Sequence, residues 1–303
     1  MSGIDVSMAA SSLLDVPIAE VVPLSVSYAN ETWRVVTDAG ARYVIKIGPL
    51  GLEAKWRSAH RALALAESVG VPVAPLVRSA PHAGLLVRVF EWIEGQPPDP
   101  GALGDDGVRR LFTDLGAALR ALHAIDLDAF SSRLDGSAPS FPRWPDYLEY
   151  RLAAIAARCR ATHALDEDEL NRVCSAVNRL ASAVGDHAQP TLCHRDLYAE
   201  NLLVDLAGRL VAILDFDTAE AWDCAGEFDK LDRLLIPAFP GARRWFDDAY
   251  REGRPCPPLW DERVRLVALV EALNTLPNAI TAGWSSDYAD DARRRMRALV
   301  DLA

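Results

Sequence analysis

Two short stretches carry the residues best suited to chemistry. They are Cys193-His194-Arg195-Asp196-Leu197-Tyr198-Ala199-Glu200-Asn201 and Ile213-Leu214-Asp215-Phe216-Asp217. Together they read His-x-Asp-x4-Asn, then an Asp behind an apolar run, 19 residues past Asp196. Moving the γ-phosphoryl of a nucleotide needs one carboxylate to orient an attacking hydroxyl and accept its proton. It also needs magnesium across the phosphates and oxygen ligands for that magnesium. Asp196 suits the first task, and Asn201 and Asp215 suit the last. Asp and Asn in a loop can instead serve only as local turn formers. The apolar runs at 202–204 and 210–214 favour the chemical reading, because a hairpin there would bring 196, 201 and 215 to one edge.

Lys46 sits in the otherwise apolar run Tyr43-Val44-Ile45-Lys46-Ile47. The chain has only three lysines (Lys46, Lys55 and Lys230) against 29 arginines. A lysine in such a strand either snorkels to solvent or faces an anion. With phosphate chemistry indicated downstream, the anion is the preferred reading. No Gly-Lys-Ser/Thr and no G-x-G-x-x-G occur, so a Walker loop, a dinucleotide fingerprint and a protein-kinase glycine loop are all missing.

The elements that must position these residues fall into two groups. Runs at 32–36 and 42–47 flank the turn signal Asp38-Ala39-Gly40 and predict a hairpin. Residues 52–69 have helical period and end at Gly70-Val71-Pro72. Residues 85–90 predict another strand. The Pro/Gly-rich stretch 94–101 is a candidate boundary. Beyond it the chain reads as helices at 105–123, 146–160, 167–184, 242–252, 261–273 and 288–302, with one short hairpin at 202–214. The expectation is an α+β protein: a strand-rich lobe over residues 1–92 and a larger, mainly helical lobe over 93–303.

The chain has 303 residues, half of them apolar, and a net charge of −11. Residues 1–92 net zero, so residues 93–303 hold all of it. That disfavours nucleic acid as a partner and favours a neutral or cationic one. No run is long and apolar enough to span a membrane, and no basic-then-apolar leader opens the sequence, so a cytoplasmic protein is expected. The five cysteines form no CxxC pair, which argues against zinc and against a disulfide scaffold.

The catalytic segment resembles that of the aminoglycoside phosphotransferase/choline kinase-like family, typically His-Gly-Asp-x4-Asn followed by Ile-Asp-Phe/Trp. Ser27-Tyr28-Ala29-Asn30-Glu31-Thr32-Trp33 is similar to the family's nucleotide-covering loop, and Val44-Ile45-Lys46 to its phosphate-binding strand. Phe90-Glu91-Trp92-Ile93-Glu94-Gly95 is similar to the hinge where backbone groups meet the base. Asp223 and Glu227 stand where the family often has Gly-Asp-Pro-x-x-Asp.

The resemblance implies a two-lobed, protein-kinase-like fold with a small antiparallel sheet lobe. It implies a small-molecule O-phosphotransferase using ATP, or GTP, with Mg²⁺. An antibiotic is the leading acceptor, with choline, homoserine or methylthioribose-like metabolites behind it. Asp196 would be the catalytic base, and Asn201 and Asp215 the metal ligands. Lys46, Ser27, Asn30, Glu91, Trp92 and Ile93 would bind the nucleotide, with Glu53 as the helix glutamate paired with Lys46. His194 would pack under the loop.

Three positions depart from the family or from protein kinases. Arg195 replaces the family's Gly. Tyr198 stands where protein kinases carry Lys. Asp217 either joins the metal site or caps a turn. Trp222, Trp245, Trp260 and Trp284, with Asp229, Asp232, Asp247, Asp248 and Glu271, fall where the acceptor should lie.

Overall fold

The computed structural model describes residues 5–26 and 30–302, without the side chains of residues 25 and 26. Ser27 therefore lies outside the described residues. A helix, α1 (Val6–Leu14), precedes β1 (Ile18–Val26), β2 (Glu31–Thr37) and β3 (Arg42–Pro49). Then come α2 (Glu53–Ser68), β4 (Leu76–His82) and β5 (Leu85–Glu91). The five strands form one antiparallel sheet in the order β1-β2-β3-β5-β4. Alternation places Val35, Ile45, Ile47, Val87 and Val89 on the face that packs under Val6, Ala10 and Leu13 of α1.

The second lobe begins with α3 (Asp105–His123). The short strands β6 (Phe130–Ser131) and β7 (Ser140–Phe141) lead into α4 (Trp144–Ala161) and α5 (Glu167–Val184). The central strands are β8 (Thr191–Cys193), β9 (Leu202–Val204), β10 (Leu210–Ile213) and β11 (Glu220–Trp222). The short α6 (Phe228–Lys230) follows, then α7 (Ala242–Arg251), α8 (Trp260–Ala282) and α9 (Ser286–Asp301). Among the described residues no helix is long and apolar enough to cross a membrane.

Two core clusters build this lobe. One joins α4, α5 and α8 around Trp144, Tyr147 and Trp222. The other packs α3 against α7 and the β9–β10 hairpin and reaches Ala62, Leu63 and Ala66 of α2. The lobes also meet through backbone. Ile213 N–H donates to Pro72 O at 2.8 Å, and Gln96 and Val204 exchange hydrogen bonds at 3.0 and 2.9 Å.

At Gly116 the α3–α7 contact is made backbone against backbone. A Cβ on Gly116 would stand 2.6 Å from Phe246 O and 3.0 Å from Tyr250 N. Neither atom can swing aside as a side chain could. Gly116→Ala should therefore cost about 1–3 kcal/mol. Urea unfolding of the variant should show a lower midpoint at an unchanged slope.

Candidate active site

The β9–β10 hairpin explains why residues far apart in sequence converge. Asn201 closes the turn before β9 and Asp215 follows β10, and Leu214 N–H donates to Asn201 O at 2.8 Å to lock the two ends together. At the far end Gly208 takes φ +80°, and Asp205 Oδ1 accepts from the Ala207 and Arg209 amides at 2.9 Å each. Asn201 Nδ2 donates to Asp196 O at 2.8 Å and to Asp196 Oδ2 at 3.3 Å. His194 is wholly buried beneath this loop. Its Nε2 bonds Leu214 O at 2.8 Å, its Nδ1 accepts from the Asp196 amide at 3.2 Å, and its ring meets Phe216 edge to face.

Lys46 and Asp215 come together across the lobes, with Lys46 Nζ 3.1 Å from Asp215 Oδ1. The contact is an ion pair without hydrogen-bond alignment, so this buried oxygen has no donor aimed at it. A carboxylate oxygen with no hydrogen-bond donor, on the residue whose neighbour Leu214 is bonded to Asn201, belongs with the Asn201 carboxamide to the hard-oxygen donor set that magnesium takes. Asn201 and Asp215 therefore fit the ion.

Two loop residues hold left-handed backbone: Arg195 at φ +65° and Asp215 at φ +61°. Such φ values favour glycine, which accounts for the Gly that the family carries at the first position. Here Arg195 is held from all sides. Its amide donates to both oxygens of Glu227 at 3.0 Å, its guanidinium pairs with Glu220 and Glu271, and it lies 4.0 Å over the Trp222 ring. Burial works against the charged guanidinium, but Glu220 and Glu271 outweigh it and keep Arg195 protonated. Glu227 is buried, and Asp223 is tied to Arg263 by two hydrogen bonds of 2.6 and 2.9 Å.

Other expectations meet a different arrangement. Glu53 is exposed at the start of α2 and pairs with Arg57 at 2.8 Å, so the structure does not bring it to Lys46. The reason is geometric: Glu53 opens the helix, a turn short of the face that looks into the site. That face presents Trp56 and His60. Asp217 neither joins Asn201 and Asp215 nor caps a turn. It accepts two hydrogen bonds, 2.7 and 2.8 Å, from Arg88 of β5, whose guanidinium lies 3.8 Å over Trp56. Arg88 is the strand neighbour of Lys46.

At the hinge, the amides of Glu91 and Trp92 are donated to Pro75 O and Arg42 O at 3.0 and 3.3 Å. Of the three hinge residues, only Ile93 keeps an amide that is not donated to backbone among the described residues. Asn30 precedes β2, its carboxamide crowding Gly48 at the end of β3.

Lys230 is a site residue that the motifs did not indicate. It pairs with Asp196 from α6, 34 residues downstream. It supplies the cation that Tyr198 cannot. Burial and the charges of Asp196 and Asp215 push the Tyr198 phenol up to about 12, so it stays neutral. The one signal in the sequence was rarity. Lys46 and Lys230 pair with the two site aspartates, and Lys55, the remaining lysine, lines the cavity that Asp196 and Lys230 also line.

That cavity, about 800 Å³, opens beside Asp196 and runs to α8 and the α8–α9 corner. Of the four tryptophans expected near an acceptor, Trp284 lines it and Trp222 is buried core. Of the five acidic residues, Asp229 and Glu271 line it.

His60 offers a pH signature. Burial first, and Arg88 second, lower its imidazole from 6.5 to about 4. Between those values the unfolded chain binds the proton and the folded chain does not, so stability falls as the solution is acidified through that window. The urea midpoint should drop between pH 7 and pH 5, and His60→Gln should remove part of that drop.

A sheet lobe joined to a helical lobe, with Lys46 paired to Asp215 across the two and Asn201 bonded to Asp196 at the edge of the β9–β10 hairpin, is the arrangement of a kinase-like phosphotransferase fold. Residues 20–227 match the phosphotransferase enzyme family, and the chain belongs to that family. It is similar in structure to a protein assigned as a fructosamine-3-kinase from Thermobifida fusca (22% identity, TM-score 0.71, 97% of this chain and 100% of that one). It is also similar to a thermostable mutant of aminoglycoside phosphotransferase APH(4)-Ia in ternary complex with AMP-PNP and hygromycin B (19% identity, TM-score 0.73, 98% of each chain). In sequence, 163 residues are 25% identical to homoserine kinase of Neisseria meningitidis serogroup B. That match spans 45% of this chain and 51% of the homoserine kinase.

Proposed function

We propose that the chain is an O-phosphotransferase that uses Mg-ATP, or Mg-GTP as the alternative donor, and acts on a hydroxyl of a small molecule. The observation that carries this is the meeting, at one edge of the β9–β10 hairpin, of a carboxylate held by a lysine, a metal-fitting Asn–Asp pair and a strand lysine. Asp196 accepts a hydrogen bond from the acceptor hydroxyl and takes its proton. The acceptor oxygen bonds to the γ-phosphorus as the bond to the β,γ-bridging oxygen breaks, and the nucleoside diphosphate departs. Magnesium bound at Asn201 and Asp215 would offset charge on the phosphates. Lys46 turns from Asp215 to the phosphates, and Lys230 holds Asp196 ionised beside the reacting group. Positioning and electrostatics supply the rate, with no phosphoenzyme.

An antibiotic acceptor draws support from the hygromycin B complex of the APH(4)-Ia mutant, and a metabolite acceptor from the homoserine kinase match. The cavity favours the metabolite. Polycationic amino sugars need free carboxylates, and each carboxylate here is already engaged by Arg or Lys. Mass spectrometry of the purified chain with Mg-ATP, Mg-GTP and a pool of hydroxylated antibiotics and primary metabolites tests the reading. One compound gaining one phosphoryl mass is expected. A pool left unchanged while both nucleotides are hydrolysed to the diphosphate would contradict it.

A further inference from the structure

The charge of the chain and the charge of its cavity have opposite signs. Five carboxylates line the cavity. Asp196 pairs with Lys230, Asp217 with Arg88, and Glu271 with Arg195. Glu220 pairs with both Arg195 and Arg151, and Asp229 with Arg295 at 3.0 Å and Arg233 at 3.7 Å. Burial pushes the Glu220 carboxyl up, yet Arg195 and Arg151 more than offset this and hold it ionised. Every negative charge facing the acceptor is therefore answered from within the protein.

The positive charges are not all answered. Among the described residues, Lys55 and Arg133 line the cavity without a carboxylate at ion-pair distance. The Arg133 guanidinium hydrogen-bonds the Ser132 carbonyl of its own loop at 2.8 Å, and its pull on Glu220, like that of Lys55 on Asp217, acts from beyond ion-pair distance. These two cations stand on segments that are fixed to each other. Leu134 N–H donates to Ser58 Oγ at 2.8 Å, and Arg57 Nε donates to Asp135 Oδ2 at 3.1 Å. The first turns of α2 and the loop after β6 thus present Lys55 and Arg133 on one joined, half-buried rim of the cavity. At the other end of the same cavity, Trp284 and Tyr288 meet edge to face at 5.1 Å and are 37% and 42% exposed, free to cover a ring or an apolar stem.

We propose that Lys55 and Arg133 form an anion subsite, and that the acceptor is a hydroxy compound bearing a carboxylate or phosphate group, with an apolar portion, rather than a polycation. This rests on the phosphotransferase reading above. A partly desolvated Arg–Lys pair gains most from a fixed anion, because arginine offers two parallel donors and the lysine a point charge. The net −11 of the chain thus lies outside this cavity, whose lining holds six cations and five carboxylates.

Thermal melting of the full chain saturated with Mg-AMP-PNP tests this. The probes are a library of hydroxycarboxylic acids, the same compounds as amides, a set of sugar phosphates, and hygromycin B. Acids or sugar phosphates should raise the melting temperature where the amides do not, and the two sets distinguish a carboxylate from a phosphate acceptor. In Arg133→Gln and Lys55→Gln the affinity for the anion should fall about tenfold or more, with AMP-PNP affinity unchanged. The proposal is overturned if either variant weakens AMP-PNP and spares the anion, since the cations then serve the nucleotide. It is equally overturned if hygromycin B binds in preference, or if no acid or phosphate shifts melting while AMP-PNP does. A chain that ignores Mg-AMP-PNP altogether would instead bring down the kinase reading, and this inference with it.

Discussion

Asp196→Asn should lower kcat by about 10³-fold while leaving nucleotide affinity near its original value. The substitution keeps the shape of the side chain. Its backbone carbonyl still accepts from Asn201 Nδ2, and its amide still donates to His194 Nδ1. Only the basic oxygen is lost, and positioned general bases contribute about 10²–10⁴-fold. Lys230 then faces a neutral amide, so its charge is uncompensated at the acceptor side, which adds to the loss. Steady-state turnover beside calorimetric titration with Mg-AMP-PNP separates the effects. An unchanged kcat would remove Asp196 from its role, and equal losses of turnover and nucleotide affinity would make it a structural residue.

The second large effect is on stability. Arg88→Met should destabilise the chain by about 3–5 kcal/mol, because it strands the Asp217 carboxylate at a site 9% exposed. Arg88 is itself 2% exposed, flat on Trp56 and hydrogen-bonded twice to Asp217, so it joins the sheet lobe to the segment just after Asp215. Arg88→Met with Asp217→Leu removes both charges at similar volume and should recover most of the loss. With an unfolding entropy of about 2.1 cal/mol/K per residue, each kcal/mol shifts a chain of 303 residues by about 1.6 °C, so the single variant should melt about 5–8 °C lower. A double variant no more stable than the single one would show that packing, not the stranded charge, sets the cost.

The difference between these two residues marks where sequence stops informing. Asp196, Asn201 and Asp215 were legible because one hairpin positions them, and a hairpin is a local object with a local signal. The helices 105–123 and 167–184 were legible to the residue, because each carries a complete buried stripe at helical period. β1 and β4 were not seen. They are the two edges of the five-stranded sheet, and edge strands carry prolines and polar residues such as Pro23, Arg78, Ser79 and Pro81 that erase alternation. α8 runs on past Leu273 because its packing tolerates Pro277 inside the helix.

The site's missed partners are long-range pairs. Arg88 meets Asp217 across 129 residues and Lys230 meets Asp196 across 34, and no spacing rule encodes either. Glu53 failed as a partner for Lys46 for the converse reason. A short separation along the chain suggested a contact that the place of Glu53, at the exposed start of α2 and paired with Arg57, denies. Net charge says little for a related reason: a sum over the lobe carries no information on which carboxylates are already paired.

The most direct test of the central claim follows the γ-phosphoryl of labelled Mg-ATP through one turnover with the acceptor present. The arrangement of Lys46, Asp196, Asn201 and Asp215 predicts that the label passes to a hydroxyl of the small molecule. It also predicts that none rests on the protein at any time, and that Asp196→Asn stops the transfer with nucleotide still bound. Label held covalently on the protein, or released to water with none on the acceptor, would contradict direct transfer at Asp196.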